Sequence, residues 1–396
     1  MPKAAMLLCF LVSSLISSAQ VDSSLSLELS RALQALSEED KLVGFAVVTY
    51  DEEGILYEGA FGYADRKEEV PYRTETVQNI ASISKTFIGI ALLKAQELGY
   101  LHLDDPINKY LPFEVLNPFH PDDVITIRQI TSHTSSIQDR GWWYGFNSYV
   151  LKEKKKPGEK KKIYFSSSDK MLTLEELYYN YLSKDGKSYK KKSFTKSRPG
   201  DEYKYSNIAA ALGAYILEEA TGQDFKAFTQ EHIFDTLQMN DTGWAFDDID
   251  MSKHSKVYTA SKKPIAFYSL VTYPDGGLRS SANDMAKYAS ELILGHMGKG
   301  TILSQRSFEE AYTGALTDEQ VASRGYDDYG VFFEITEKSK IGHGGSDPGV
   351  TTLMYFDPDS KKGSYLQVNT EVTKKNSQNF IDIWRKLIEY QEKYMR

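Results

Sequence analysis

The chain has 396 residues, 41% of them hydrophobic and 26% charged, and a formal net charge of -8. It is long enough for two or three average domains, or for one large fold carrying an inserted lobe, and its composition is that of a globular protein with a core. The acidic balance argues against general nucleic-acid binding.

At the N-terminus, Lys3, an apolar run over 4–16 and then Ser17-Ser18-Ala19 read as a secretory signal over 1–19, with the mature chain starting near Gln20. The run is short for a membrane span, and nothing after the first twenty residues is apolar for long enough to form one. A secreted or periplasmic location is the expectation, with no membrane span left after signal cleavage. The only cysteine, Cys9, lies inside the signal, and Leu8 before it does not suit a lipoprotein cleavage site. The mature chain is therefore expected to lack disulfides and cysteine-based metal sites.

Leucines at 25, 29, 33 and 36 mark a helix over 24–36. Two strand-like runs, 43–50 and 55–63, flank Asp51-Glu52-Glu53-Gly54 and read as a hairpin. Ile80-Ala81-Ser82-Ile83-Ser84-Lys85 then runs into a nearly all-apolar helical stretch, 86–98, that stops at Gly99. Ser82 and Lys85 fall on one helical face, so the amine can lie against the hydroxyl. The first-turn N–H groups lack intrahelical partners and sit at the positive end of the dipole, where they would stabilise an oxyanion. Burial of that helix is expected to desolvate Lys85 and lower its pKa.

Leu103-Asp104-Asp105-Pro106 opens a short segment ending at Leu111-Pro112. Over 152–196 the composition shifts to lysine clusters at 154–156, 160–162 and 190–192. Only 172–182 looks helical there, and the remainder resembles a solvated insertion. Its bland reading as an exposed loop outweighs a weak contact with an anionic surface. Helical periodicity returns over 206–220 and closes at Gly222. Another helix start is Ser281, with Asp284 answering three residues later as in a capping box. Strand-like runs recur at 329–335, 350–356 and 363–369, and the chain ends in a helix with Phe380, Ile381, Trp384, Leu387 and Ile388 on one face.

Strands at both ends with helices between them predict an α/β fold of the α+β type: an antiparallel sheet built from the N- and C-terminal segments, flanked by helices, with an inserted mainly helical lobe and the active site at the junction. The expected boundaries are one domain over 20–396, with a sheet lobe from 20–80 plus 265–396 and a helical lobe from 82–264 that carries the 152–196 insertion.

Serine followed three residues later by lysine occurs at Ser82, Ser167, Ser188 and Ser193, but only Ser82 leads into a buried helix. Taken alone, a helix cap explains Ser82 equally well. Tyr-x-Asn occurs at Tyr178, where core packing is the better reading, and at Tyr205. Tyr205-Ser206-Asn207 follows the turn signal Arg198-Pro199-Gly200-Asp201 and precedes a helix. A hydroxyl there can point into a cleft, a nearby Lys85 would favour its phenolate, and Asn207 can both donate to and accept from an amide. In Gly342-His343-Gly344-Gly345-Ser346 the glycines allow close approach of a ligand, and His343 suits proton transfer or, when protonated, a substrate carboxylate; a structural histidine is the plainer reading. His133 reads as a loop-ordering residue. With no His-Glu-x-x-His, phosphate-loop or dinucleotide pattern, no metal and no cofactor are expected.

Ser82-x-x-Lys85, Tyr205-x-Asn207 and His343-Gly344-Gly345, in that order, resemble the serine β-lactamase and penicillin-binding protein superfamily, specifically its class C branch. Leu103-Asp104-Asp105-Pro106-Ile107, Tyr110-Leu111-Pro112, Ser132-His133-Thr134-Ser135, Met239-Asn240-Asp241-Thr242-Gly243 and Gly276-Gly277-Leu278-Arg279-Ser280-Ser281 also look like that family. The resemblance covers about 25–390 and implies attack of Ser82 on a carbonyl with help from Lys85 and Tyr205. It further implies substrate contacts from Asn207, His343, Gly344 and Gly345, and an oxyanion hole from the backbone N–H groups of Ser82 and Ser346. Most β-lactamases of the branch carry Lys-Thr-Gly where this chain has His343-Gly344-Gly345, which points toward the D-aminopeptidase, D,D-peptidase and esterase members. The expected partner is a small-molecule or peptide substrate: a peptide containing a D-amino acid or a small ester. A β-lactamase, a penicillin-binding sensor that barely turns over, or a degenerate non-catalytic binding protein is the alternative. Oligomeric state is not legible in the sequence.

Overall fold

A computed structural model of the chain describes residues 23–154, 165–325 and 327–394, with the side chains of 142, 143 and 146 left aside. The signal read over 1–19 and the lysine clusters of 155–164 lie outside the described residues. The helices that frame the site are α1 (Ser23–Glu38), α2 (Ser84–Glu97), α3 (Asn207–Thr221), α4 (Ala282–His296) and α5 (Ser377–Gln391). The strands are β1 (Gly44–Asp51), β2 (Gly54–Asp65), β3 (Val70–Pro71), β4 (Asp328–Tyr329), β5 (Glu334–Ile335), β6 (Ile341–Asp347), β7 (Val350–Asp357) and β8 (Lys362–Val368).

These strands form one antiparallel sheet in the order β4-β5-β6-β7-β8-β1-β2-β3. β1 lies between its hairpin partner β2 and the C-terminal β8, with Phe45 opposite Val368 and Asp51 opposite Lys362. Every residue of β1 is buried, because the sheet is covered on both faces. Its side chains alternate accordingly: Phe45 and Val47 join α1 and α5 in one apolar layer, whereas Ala46, Val48 and Tyr50 join the main core with α4.

α2 runs through the centre of that core, with ten consecutive residues from Ser84 to Leu93 all buried. Phe87 stacks on Tyr288 of α4 with ring centroids 3.9 Å apart. Each fully buried Ile, Leu or Phe contributes about 1.5–3 kcal/mol from removal of apolar surface from water, and six such side chains are buried here: Phe87, Ile88, Ile90, Leu92 and Leu93 on α2 and Ile83 just before it.

Several expectations from the sequence need correction. The 329–335 run is two short strands, because Phe332 takes a left-handed φ of 58° between them. Ser281 accepts from the Asp284 amide, but the Asp284 carboxylate turns away to the Asp241 amide and the Thr242 hydroxyl, so only half a capping box forms. In α5, Ile381 is exposed, and Ile383 takes its place in the buried face. The described part of the insertion is not simply solvated. The helix Leu174–Leu182 buries Tyr178 and Tyr181, Phe194 is buried, and Tyr149–Leu151 pairs with both Phe165–Ser166 and Tyr268–Leu270. Tyr178 does pack in the core, donating to the Ile208 carbonyl at 2.8 Å. Among the described residues, no helix is long and apolar enough to cross a membrane.

Candidate active site

Ser82 sits in a 3-10 turn, Ala81–Ile83, and α2 begins only at Ser84. The expected first α-helical turn is thus displaced by two residues, and i to i+3 stacking in the tighter turn still brings Lys85 onto Ser82. Ala81 has a φ of +50°, a strained conformation for a residue with a Cβ. The surroundings over-determine it. Ile80 accepts from Thr352 of β7 and donates to the Leu278 carbonyl, and the Ser84 hydroxyl donates to the Ala81 carbonyl at 2.7 Å.

The Lys85 ammonium makes three hydrogen bonds, to Ser82 Oγ at 3.0 Å, Asn207 Oδ1 at 2.8 Å and the Asp275 carbonyl at 2.7 Å. It also lies 5.1 Å from the centre of the Tyr205 ring, and Ser82 and Lys85 both favour the charged form of the Tyr205 hydroxyl. Burial pulls the Lys85 ammonium down, but Tyr205, Asp275 and Asp347 together outweigh it, and the group ends above its ordinary value. Burial likewise pushes the Tyr205 phenol up, further than Lys85 and Ser82 draw it back. Both expectations from the sequence, a lowered lysine and a favoured phenolate, are therefore reversed. At rest the pair is an ammonium beside a neutral phenol.

Asn207 opens α3, and its amide is already occupied: Oδ1 accepts from Lys85, and Nδ2 donates to Asp139 at 3.0 Å. Asp139 also accepts from the Ser206 hydroxyl at 2.9 Å and from the amides of Asn207 and Ile208 at 3.1 and 2.9 Å. A carboxylate at this helix start satisfies orphan donors and complements the dipole while fixing the side chain that holds Lys85. No sequence signal pointed to Asp139, which lies 68 residues from Asn207 in a stretch with no periodic pattern.

β6 passes beside the Ser82 turn. Its pairing with β5 ends at Gly342, which leaves the edge from His343 to Asp347 alongside Ser82. Gly345 is the point of closest approach: a Cβ there would stand 2.7 Å from the Ile80 carbonyl oxygen and 3.0 Å from the Ser82 nitrogen. Gly344 is half-buried and Ser346 exposed on the same edge. His343 is 2% exposed, with Nε2 bonded to the Tyr329 hydroxyl at 2.7 Å and Nδ1 to the Gly344 carbonyl. Burial lowers its pKa, with Lys85 adding to the effect and Glu334 opposing it. A neutral imidazole with both nitrogens engaged does not offer the cationic contact to a carboxylate that the sequence suggested.

His133 does order its loop, at a φ of 58°. Its carbonyl accepts from the Lys204 amide at 2.7 Å, and Nδ1 accepts from the Ser206 amide at 3.3 Å. Its ring packs 4.3 Å from that of Tyr205. Two further aspartates stand close by. Tyr144 donates to the Asp275 carboxyl at 3.1 Å, and Tyr149 donates to Asp347 Oδ1 at 2.8 Å. Burial raises each carboxyl to about 7 although Lys85 draws both down. The other serine–lysine pairs, at Ser167, Ser188 and Ser193, lie away from this assembly in the insertion. Among the described residues, no cluster of three or more His, Cys, Asp or Glu side chains is arranged to hold a metal ion.

A hydroxyl hydrogen-bonded to an ammonium that itself lies beside a tyrosine ring, on a strained turn with a strand edge next to it, is equipped for acyl transfer to serine. The relatives agree with that chemistry. Penicillin-binding protein 4* of Bacillus subtilis (strain 168) is 24% identical over 369 residues, an alignment spanning 87% of this chain and 71% of that one. Esterase EstB of Burkholderia gladioli is 28% identical over 222 residues, 56% of this chain and 52% of the esterase. Among solved structures, a class C β-lactamase superposes with a TM-score of 0.67 over 94% of this chain and 98% of its own, at 16% identity, a likeness of fold. A family model described as Beta-lactamase matches residues 29–385, nearly the whole of the described chain, and the chain accordingly belongs to the β-lactamase family of serine hydrolases.

Proposed function

We propose that this chain is a secreted hydrolase that cleaves an amide or ester through an acyl-Ser82 intermediate, acting on a peptide that contains a D-amino acid or on a small ester. The observation that carries this reading is the Lys85 ammonium 3.0 Å from Ser82 Oγ and 5.1 Å from the centre of the Tyr205 ring. Because the pair rests as ammonium and phenol, one proton must leave it before it can accept that of Ser82, and the loss belongs to the pair as a unit. Ser82 Oγ then attacks the carbonyl carbon, and the negative oxygen is received by the N–H groups of Ser82 and Ser346. The pair returns a proton to the leaving group, and water enters to release the acyl group by the same steps in reverse.

The neutral, doubly engaged His343 supports an ester, or a D-amino-acid amide without a carboxylate beside the scissile bond, over a β-lactam, whose carboxylate calls for a permanent cation. Fluorescent fluorophosphonate should label the purified protein at Ser82, and Ser82→Ala should remove the label while circular dichroism stays unchanged. Undiminished labelling of the folded variant refutes the assignment. Turnover of D-Ala-D-Ala peptides, p-nitrophenyl esters and nitrocefin then ranks the substrate classes, and nitrocefin as the best substrate would reverse that preference.

A further inference from the structure

The stretch 184–198 carries six lysines and one arginine against a single acid, Asp185, a net +6 within a chain whose total is -8. Positive charge is thus gathered in one short segment of an otherwise acidic molecule. Lys184, Lys187, Lys190, Lys191, Lys192 and Lys196 are all exposed. Arg198 pairs with Asp123 at 3.3 Å, but among the described residues none of the six lysines has an ion-pair partner. A merely solvated face intersperses both signs, and this one does not.

The backbone under these lysines is pinned. Lys191–Ser193 forms a 3-10 turn, and Ser193, Phe194 and Thr195 are buried. The Thr195 amide donates to the Ser136 carbonyl at 2.8 Å, and the Gln138 amide donates to the Ser193 carbonyl at 2.9 Å. Gln138 Nε2 donates to the Lys192 and Phe194 carbonyls at 3.3 and 3.0 Å. The Ser188 amide donates to the Asn180 carbonyl at 3.0 Å, which ties the earlier lysines to the helix Leu174–Leu182. The ammonium groups therefore stand on a fixed ledge, and little backbone entropy is lost when a partner arrives.

Exposed apolar side chains are bound into the same ledge. Tyr179 of that helix is 42% exposed, and Phe119 and Val124, on the loop after Asn117, are 39% and 56% exposed. His120 Nε2 bonds with the Lys196 carbonyl at 2.8 Å, and Asn117 Nδ2 donates to the Ser197 carbonyl at 3.0 Å. Phe113 packs edge-on against Tyr179 with ring centroids 5.6 Å apart. Lysines flanked by apolar tips match a surface that is anionic outside and hydrocarbon within. A soluble polyanion would satisfy the ammonium groups but leave those tips in water.

We propose that this ledge is a docking surface for a bilayer rich in anionic phospholipid, with the lysines on the headgroup phosphates and Phe119, Val124 and Tyr179 at the acyl boundary. Among the described residues no helix is long and apolar enough to cross a membrane, so the attachment made by the ledge is peripheral. Gln138 directly precedes Asp139, which holds Asn207, so the ledge is joined to the wall of the Ser82 site and the docked chain acts at the bilayer surface. Docking of this kind is independent of the acyl-serine chemistry.

Flotation of the purified chain with lipid vesicles tests the surface. Vesicles of phosphatidylcholine mixed with an equal part of phosphatidylglycerol should carry the chain upward, vesicles of phosphatidylcholine alone should not, and the bound fraction should fall as salt rises. Each lysine at an anionic bilayer contributes about fivefold in partitioning, so Lys190→Gln, Lys191→Gln and Lys192→Gln combined should lower it about 100-fold. Phe119→Ser combined with Tyr179→Ser should lower it about fivefold or more at unchanged charge. Circular dichroism reads the folding of each variant, and where a combination does not fold, Lys191→Gln and Phe119→Ser alone carry the same comparison. A wild-type chain that stays unbound with anionic vesicles, or folded lysine variants that partition like it, overturns the docking surface. Loss of binding on lysine substitution with none on Phe119 and Tyr179 substitution assigns the lysines to a soluble polyanion and overturns the bilayer as partner.

Discussion

Asp139→Ala tests how the site is held together. The carboxylate accepts four hydrogen bonds: Oδ1 from the Ser206 hydroxyl and the Ile208 amide, and Oδ2 from the Asn207 amide and its Nδ2. A hydrogen bond to a charged group contributes about 1.5–3 kcal/mol, and a buried donor left without a partner costs about 1–3 kcal/mol. Asp139 and Asn207 are only half-buried, so water re-satisfies part of the set. Discounting two of the four bonds for that reason leaves a loss of about 3–6 kcal/mol in folding stability. Asp139→Asn keeps one oxygen but turns an NH₂ toward two donors, so it should recover less than half of the loss. Freed from Asp139, the Asn207 side chain no longer fixes Lys85 from one side, and the rate of Ser82 labelling should fall about tenfold, equivalent to about 1.4 kcal/mol in barrier. Urea unfolding gives the first quantity and time-resolved fluorophosphonate labelling the second. A change in stability below about 1 kcal/mol together with an unchanged labelling rate would refute the reasoning, because it would mean that neither the helix start nor Asn207 depends on this carboxylate.

Gly345→Ala places a Cβ 2.5 Å from Thr352 Oγ1 and 2.7 Å from the Ile80 carbonyl oxygen, both on rigid neighbours, so β6 must retreat from the Ser82 turn. Loss of one oxyanion donor by that retreat predicts a fall of about 10²–10³ in the acylation rate, and a normal rate in the folded variant would show that the edge is not part of the oxyanion site. The Lys85–Tyr205 pair carries one proton too many at rest, with both groups above their ordinary values, so labelling of Ser82 should rise with pH and continue to rise into the alkaline range. Tyr205→Phe should remove or displace that limb, and a flat profile between pH 7 and pH 10 would contradict the assignment. Asp275 and Asp347 hold protons more tightly in the folded chain, at about 7 against an ordinary 3.8, so between those values the folded state binds more protons than the unfolded one. Their contribution is complete below the ordinary value and is lost as pH rises to about 7. Urea midpoints measured from pH 4 to pH 8 should therefore fall less steeply with pH in Asp275→Asn than in the wild type, and parallel curves would count against the buried pair.

The layout of the fold was written in local patterns. Two strand-like runs around a Gly-containing loop mark the 43–50 and 55–63 hairpin, 3.6-residue periodicity marks the helices at 24–36 and 206–220, and Gly222 closes α3 in the left-handed conformation a glycine adopts without strain. Ser82 and Lys85 were legible because their contact is made within one turn of backbone, and Tyr205 and Asn207 because they are fixed at the start of one helix. Proximity in sequence carries that information, so no tertiary contact was needed to find it.

Charge state and partnership depend instead on groups distant in the chain. Burial alone would lower Lys85, and the sequence shows that its helix is apolar; it cannot show that Asp275, 190 residues away, and Asp347 come close enough to reverse the shift. For the same reason the sequence left His343 open between a structural and a substrate-binding histidine until Tyr329 and the Gly344 carbonyl took both of its nitrogens, and Asp139 was invisible until folding placed it under α3. The sequence by itself determined which helices and strands the chain has and which side chains stand within one turn of each other, since short-range sterics and hydrophobic period specify them. Only the tertiary structure decided which groups are charged and which charges lack a partner, because electrostatic energy depends on distance and burial rather than on order along the chain.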